Sequence, residues 1–167
     1  MGSKRPKIPM ADDHEQLRTL READVARVAD ILESDVLGTI DNWLERTASD
    51  CELSRVKLSK EDRTGNLARL IWELTYRLRV PRKLGPELVS DAAVEHGKLR
   101  RSQGYSISMI VEESRLLRIC IFETLYRGLS TGHFRAVLSD AKTITDECDS
   151  QLKQTLVSFT RQTAISA

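Results

Sequence analysis

A polar segment near the middle of the chain, residues 94–118, carries the residue types best suited to binding or proton chemistry. Within it, His96, Arg100 and Gln103 stand at positions i, i+4 and i+7, so a helix places all three on one face. Histidine and arginine form charge-assisted hydrogen bonds with carboxylates, and histidine titrates near neutral pH. This spacing therefore predicts a polar network on that helix.

The residues that follow predict a tight turn and a returning helix. Gly104 breaks the helical pattern beside Tyr105, so the next helix can fold back antiparallel to the first. Partly buried ion pairs lock one geometry more than they add stability. This hairpin can bring one or another charged residue of the second helix near the first face: Glu112, Glu113, Arg115 or Arg118.

Two interpretations of this segment remain open. One is a helix-hairpin lock that binds no ligand, and the other is a network that responds to a ligand or a proton. Tyr105 either closes the turn with its hydroxyl group or borders a small cavity. The predicted ligand or signalling network comprises His96, Arg100, Gln103, Tyr105, Glu113 and Arg118.

The sequence lacks the residue patterns of a catalytic or metal site. His14, His96 and His133 show neither an HExxH motif nor i, i+4 pairing. No G-x-S-x-G motif, phosphate-binding glycine loop or Cys–His pairing is present. Charged neighbours surround His96, which disfavours a buried haem. We therefore expect no enzyme activity, no catalytic residue, no metal and no cofactor.

Composition and charge are those of a soluble globular chain. Of its 167 residues 40% are hydrophobic and 31% are charged, and the net charge of +1 gives no general attraction to nucleic acid or anionic membranes. No apolar run reaches the roughly 20 residues that span a bilayer. Three widely spaced cysteines favour a reducing cytoplasm over a secreted disulfide framework. We expect a cytoplasmic protein without nucleic-acid or membrane partners.

Apolar residues recur at intervals of three and four through most of the chain, and no segment alternates as a strand does. The pattern predicts an all-α bundle of about five helices with long first and last helices, globin-like or like a four-helix bundle, without haem. Residues 11–50 form one helix whose first half projects or dimerises, or two helices that meet near Gly38. The next helices run from Lys60 to about Arg79, from Glu87 to about Gln103 and from after Ser106 to about Leu129, before a last helix of nearly thirty residues.

The helical pattern covers most of the chain and leaves a short segment at each end. Residues 1–10 are expected to form a disordered basic tail, residues 11–160 a single helical domain, and residues 161–167 a second disordered tail. Ser59 precedes Asp62 in a capping arrangement for the second helix, and Ser106 is placed to cap the fourth.

The segment "EHGKLRRSQGYSISMIVEESRLLR" resembles the signature of the RsbRD-type sensor domain, known from the N-terminal regions of RsbT co-antagonist proteins and from bacterial histidine kinases. The upstream segments "IDNWLERTA" and "RTGNLARLIWELTYRL" are similar to earlier helices of that domain. Ser114 departs from the pattern, in which an aromatic residue is expected. The matching positions are His96, Gly97, Arg100, Gln103, Gly104, Tyr105, Glu113, Leu117 and Arg118.

The resemblance implies an input module without enzymatic activity, related proteins being dimeric, non-haem helical bundles that pass a signal to an attached domain. We therefore expect a homodimeric bacterial sensor in a two-component or stressosome-type pathway, with a histidine kinase or switch kinase as partner. The alternative is an adaptor that docks to a kinase or anti-sigma-type partner and senses no ligand. Either a free-standing sensor or a piece of a longer protein fits this expectation.

Overall fold

The computed structural model describes residues 28–80, 89–128 and 134–161, and of residues 134–139 the backbone alone. These residues form an all-α bundle without strands, as predicted. Helix α1 occupies residues 28–34 of the described part, and a short 3₁₀ turn at Leu53–Arg55 follows α2. The remaining helices are α2 Val36–Ser49, α3 Lys60–Thr64, α4 Leu67–Arg79, α5 Asp91–Ser102, α6 Ile107–Gly128 and α7 Phe134–Arg161.

The long helix α7 organises the bundle. It packs along α5 and also contacts α4 and α6, while α2 packs against α6 on the other side. Helix α4 buries the five apolar residues that the three-and-four spacing predicts, because that spacing gathers them on one face. Those residues are Leu67, Leu70, Ile71, Leu74 and Leu78.

The first long helical pattern divides into two helices, one of the two predicted alternatives. The junction lies at Asp35, which has φ −131° and ψ 35°, and α2 continues without interruption through Gly38. Gly38 is therefore inside a helix, three residues beyond the actual junction. The predicted basic tail and the projecting or dimer-forming segment up to residue 27 lie outside the described residues.

The prediction of one helix from Lys60 to Arg79 is wrong. Helix α3 ends at Thr64 and α4 begins at Leu67, because Gly65 adopts φ +42° and breaks the helix. The start of α3 is as predicted, since the Ser59 hydroxyl oxygen accepts a hydrogen bond from the Asp62 amide at 3.0 Å.

Helix α5 begins at Asp91, four residues later than the predicted start at Glu87. Ser90 caps it, because its hydroxyl oxygen accepts a hydrogen bond from the Ala93 amide at 2.9 Å. Residues 81–88, which include the predicted start, lie outside the described residues.

Helix α6 starts after Ser106, whose hydroxyl oxygen accepts from the Met109 amide at 3.2 Å, as predicted. The predicted turn at residues 129–133 and the tail at residues 162–167 lie outside the described part. Among the described helices, none combines the length and the apolar character needed to cross a membrane.

Candidate functional site

An ion pair joins α5 to α6 in the interior of the bundle. His96 and Arg100 lie one turn apart on α5, and both face Glu113 of α6. The exposed fractions of these side chains are 5%, 0% and 3%, so all three are almost completely removed from solvent. The Arg100 Nε atom lies 2.9 Å from each carboxylate oxygen of Glu113, and the His96 Nε2 atom lies 2.5 Å from Oε1. The helical face predicted for His96 and Arg100 is therefore formed.

The helix break at Gly65 supplies two further acceptors for Arg100. The Arg100 Nη2 atom donates to the Arg63 carbonyl oxygen at 2.5 Å, and the Arg100 Nη1 atom donates to the Asp62 carbonyl oxygen at 3.3 Å. In a continuous helix those carbonyl groups would accept from backbone amides four residues ahead. Because α3 ends at Thr64, they are free to bind a guanidinium, which also suits the negative end of a helix.

Gln103 joins the same arrangement from the end of α5. Its Oε1 atom accepts from Arg100 Nη1 at 2.7 Å, and its Nε2 atom donates to the Asp62 carbonyl oxygen at 3.0 Å. The guanidinium of Arg100 thus makes hydrogen bonds to Glu113, to Gln103 and to the end of α3. A fully buried cation is tolerated only when it is paired and hydrogen-bonded in this way.

The turn between α5 and α6 places Tyr105 over Arg100. Gly104 has φ +77°, and the Tyr105 amide then donates to the Arg100 carbonyl oxygen at 3.1 Å. The Tyr105 ring lies with its centroid 4.8 Å from the guanidinium carbon, a cation–π contact. Burial and the nearby negative charge of Glu113 raise the pKa of the Tyr105 phenol, which keeps its proton at neutral pH.

We call the side chains of His96, Arg100, Gln103, Tyr105 and Glu113 the polar cluster. Five of the six residues predicted for the network are therefore in contact, and the sixth, Arg118, lies elsewhere. Five residues beyond Glu113 on α6, Arg118 points about 140° away from it and pairs with Asp149 of α7. Glu112 and Arg115 pair with each other on the exposed side of α6 and do not reach the cluster.

Two residues outside the predicted set hold the polar cluster in place. Trp43 of α2 is fully buried, and its indole Nε1 donates to the Glu113 carbonyl oxygen at 3.0 Å. Arg63 donates to the Tyr105 hydroxyl at 3.3 Å and also to backbone carbonyl groups around the 3₁₀ turn. In the sequence, Gly65 and Asn66 inside a helical pattern indicate a helix end just after Arg63. That was the signal from which the position of Arg63 beside a turn could have been predicted.

The electrostatic environment keeps Glu113 ionised. Burial by itself would raise the pKa of this carboxyl, but the hydrogen bonds that His96 and Arg100 donate and the positive charge of Arg100 outweigh burial. The pKa of Glu113 is therefore held below its ordinary value of 4.5. At neutral pH the Arg100–Glu113 pair is electrically balanced.

A small cavity of about 30 Å³ borders the polar cluster where α4, α5, α6 and α7 meet. His96 and Glu113 line one side of it, and the opposite sides are formed mainly by apolar residues. The His96 Nδ1 atom is buried and has no hydrogen-bond partner among the residues that the structure describes. Cys148 also lines the cavity, and burial raises the pKa of its thiol to about 12, so it is not a nucleophile there.

Within the part of the chain that the structure describes, no group of three or more histidine, cysteine, aspartate or glutamate residues is arranged to hold a metal ion. Comparison of the chain with protein-family models, with curated proteins and with solved structures finds no match. The resemblance to the RsbRD-type sensor domain therefore rests on the residues themselves and stays a prediction.

Proposed function

We propose that this chain is a non-enzymatic bacterial sensory and regulatory domain that relays a signal by rearranging its helices within a dimer. The proposed setting is a cytoplasmic two-component or stressosome-type pathway, with a histidine kinase or switch kinase as partner. The observation that carries the proposal is the contact of Arg100 with Glu113 and with the end of α3. It ties three segments of the bundle together through a single buried guanidinium.

The chemistry of this contact suits a two-state element. A buried ion pair adds little net stability, since desolvation of both charges offsets most of their attraction. It does favour arrangements in which every donor and acceptor is satisfied, so a shift of α5 against α6 must exchange one complete set of partners for another. Switching proteins use such discrete repacking at helix contacts. The RsbRD resemblance adds support, because five of its signature positions belong to the polar cluster.

The dimer is supported by the sequence pattern and by the length of α7. Helix α7 has 28 residues, and the apolar spacing of residues 11–27 continues the helical pattern upstream of α1. The cytoplasmic setting is supported by the cysteines, since Cys51, Cys120 and Cys148 are all free thiols.

The alternative function, a docking adaptor that senses nothing, has one observation in its favour. Trp72 and Tyr76 lie one turn apart on α4 and are 51% and 63% exposed. Large aromatic side chains at helical spacing on a surface are typical anchors for a protein partner. An adaptor would use this face and would not depend on the polar cluster.

A chimeric kinase distinguishes the two functions. In this experiment the chain is fused in place of the input domain of a bacterial histidine kinase that carries an RsbRD-type domain. Autophosphorylation is measured for the parent chimera and for the Glu113→Gln and Glu112→Gln variants. Both substitutions remove one carboxylate charge from adjacent positions of α6, but only Glu113 belongs to the polar cluster. We expect Glu113→Gln to change kinase output at least threefold and Glu112→Gln to leave it unchanged.

Sedimentation of the isolated chain tests the dimer separately. We expect a dimer at high micromolar concentration, and a clean monomer there would contradict helix rearrangement within a dimer. Kinase output that is insensitive to Glu113→Gln but lost in Trp72→Ala and Tyr76→Ala would favour the adaptor. Circular dichroism of each variant establishes that it is folded before its output is compared.

A further inference from the structure

We propose that the cavity beside His96 binds a small uncharged molecule that donates one hydrogen bond to Nδ1 and presents an apolar remainder to the facing helices. A short-chain alcohol has this chemistry. The inference rests on the proposed sensory function and deepens it, since it names the class of ligand at the same site. It follows from the unpartnered nitrogen, from the composition of the cavity wall and from the cavity volume.

In the proposed complex His96 is neutral, and its unpartnered nitrogen is then an acceptor. The Glu113 carboxylate offers only lone pairs, so the hydrogen between it and His96 Nε2 belongs to the imidazole. A neutral imidazole with its hydrogen on Nε2 carries a lone pair on Nδ1. That nitrogen is buried without a partner among the described residues, in a side chain only 5% exposed. A buried acceptor without a donor is destabilising, so a donor in the cavity is favoured.

Two other polar residues of the cavity wall have partners within the protein. The Gln151 Nε2 atom donates to the Leu70 carbonyl oxygen at 3.1 Å, and the Thr155 hydroxyl donates to the Ala93 carbonyl oxygen at 3.2 Å. Both are buried in those arrangements. Among the described residues of this wall, the buried side-chain atom without a hydrogen-bond partner is therefore His96 Nδ1.

Most of the rest of the wall is apolar. Leu67 and Leu70 of α4 line the cavity together with Ile110 and Leu117 of α6. A buried water ordinarily makes about three hydrogen bonds, more than His96 Nδ1 and the Ser114 hydroxyl offer here. One donor attached to an apolar body matches this surface better. A volume of about 30 Å³ limits the occupant to roughly two to four non-hydrogen atoms.

Ser114 of α6 and Leu152 of α7 both line the cavity, and both are only half-buried. The proposed entry for a ligand is this edge of the cavity, between α6 and α7. A ligand seated there would touch α4, α5, α6 and α7 at once, and would hold His96 in its contact with Glu113.

Ethanol and dimethyl ether form a matched pair of probes, because they are isomers of three non-hydrogen atoms and only ethanol carries a donor. Each is titrated into the full chain while the nitrogen-15 resonance of His96 Nδ1 is followed. We expect a saturable shift with ethanol and at least tenfold weaker binding of dimethyl ether. Equal affinities would overturn the role of Nδ1, and the absence of a saturable shift would overturn the site.

Two leucine substitutions on α6 locate the binding event. Ser114→Leu fills the proposed entry and is expected to abolish the ethanol shift, whereas Ser108→Leu, on the exposed surface, is expected to leave it unchanged. A shift that persists in folded Ser114→Leu would place the ethanol elsewhere and overturn the inference. The Nδ1 resonance could already report an accepted hydrogen bond in buffer and not change with ethanol. That result would show that only a water occupies the cavity, and it would also overturn the inference.

The chimeric kinase separates this inference from the proposed function. If ethanol fails to bind while Glu113→Gln still changes kinase output, the ligand class is wrong and the sensory function stands. If ethanol binds as expected while output ignores both ethanol and Glu113→Gln, the site exists and the proposed function is wrong.

Discussion

The Nε atom of Arg100 lies 2.9 Å from both carboxylate oxygens of Glu113, and neither side chain is more than 3% exposed. The contact spans two helices, and its backbone acceptors come from a third. The matching surface contact on α6, between Glu112 and Arg115, is solvent-exposed and spans a single helical turn. Comparing the two pairs tests the combined effect of burial and of pairing between helices.

A double-mutant cycle with Arg100→Met and Glu113→Gln is expected to show strong coupling. Each single substitution leaves one buried group without its partner and is expected to cost about 3–5 kcal/mol of unfolding free energy. The double variant removes both charges, so it should be more stable than the sum of the single effects predicts by about 1–3 kcal/mol. Urea denaturation at pH 7 measures these quantities.

The control cycle uses Arg115→Met and Glu112→Gln. Because this pair is exposed and lies at i, i+3, its coupling energy should not exceed about 0.5 kcal/mol. Additive effects of the Arg100 and Glu113 substitutions, within about 0.5 kcal/mol, would rule out the direct pairing.

The loss of folding stability at acidic pH should depend on the ionisation of Glu113. Its pKa in the folded protein lies below the ordinary value of 4.5, so the folded state binds fewer protons than the unfolded state. Its contribution to stability is therefore fully present above pH 4.5 and is lost as the pH falls below that value. The stability difference between the parent and Glu113→Gln should be constant from pH 7 to 5 and shrink below pH 4.5.

The midpoints of urea denaturation, taken at half-unit steps over this pH range, measure the stability difference. The Glu112→Gln variant is again the matched control. A hydrogen bond from Arg115 also lowers the pKa of Glu112, but that side chain is partly exposed, so its change across the window should be the smaller one. A stability difference for Glu113→Gln that grows on acidification would show that the pKa of Glu113 is raised instead.

Alanine at Gly97 should destabilise the bundle, whereas alanine at Gly38 should not. A Cβ atom at Gly97 would overlap the Thr155 carbonyl oxygen of α7, because α5 and α7 approach closely there, and backbone cannot move aside cheaply. We expect a loss of about 1–3 kcal/mol, the usual cost of overpacking. At Gly38 the Cβ atom would overlap only the flexible Asp35 carboxylate.

Because Gly38 lies inside α2, its replacement by alanine should gain up to about 1 kcal/mol of helix propensity once Asp35 rotates away. Thermal unfolding of the two variants decides the matter, with a lower melting temperature for Gly97→Ala and an equal or higher one for Gly38→Ala. Equal melting temperatures for the two variants would contradict the close approach of α5 to α7.

The three thiols should differ in reactivity. Cys51 is exposed, whereas burial raises the pKa of the Cys120 thiol to about 11 and that of the Cys148 thiol to about 12. The thiolate is the reactive form, so at pH 8 a disulfide reagent should label one thiol rapidly in the native protein and all three in urea. Cys51→Ser should remove the rapid phase, and a rapid phase that survives this substitution would show that the bundle opens at Cys120 or Cys148.

Local pattern was sufficient for much of the architecture. The spacing of apolar residues predicted the all-α class and the buried face of α4, and hydroxyl side chains predicted the starts of α3 and α6. The common face of His96 and Arg100 followed from helical geometry alone. These features depend on residues within a few positions of each other, so they are readable without knowing where the helices pack.

Helix ends were less predictable where two signals competed. The apolar pattern runs through Gly65, and only the tertiary structure shows that the helix breaks there, with the Leu99 side chain within 2.7 Å of where a Cβ would stand. The freed carbonyl groups of Asp62 and Arg63 then accept from Arg100, which compensates for the broken helix.

Which side chains share a helical face could be predicted from the sequence, because that depends only on the backbone repeat. Only the tertiary structure shows that Glu113, and not Glu112, contacts Arg100. It also shows that Arg118 pairs with Asp149 and that Trp43 donates to the Glu113 carbonyl oxygen. The physical reason is that pairing between helices depends on their rotation and crossing. Those are set by the packing of the whole core, and residues distant in the chain contribute to it.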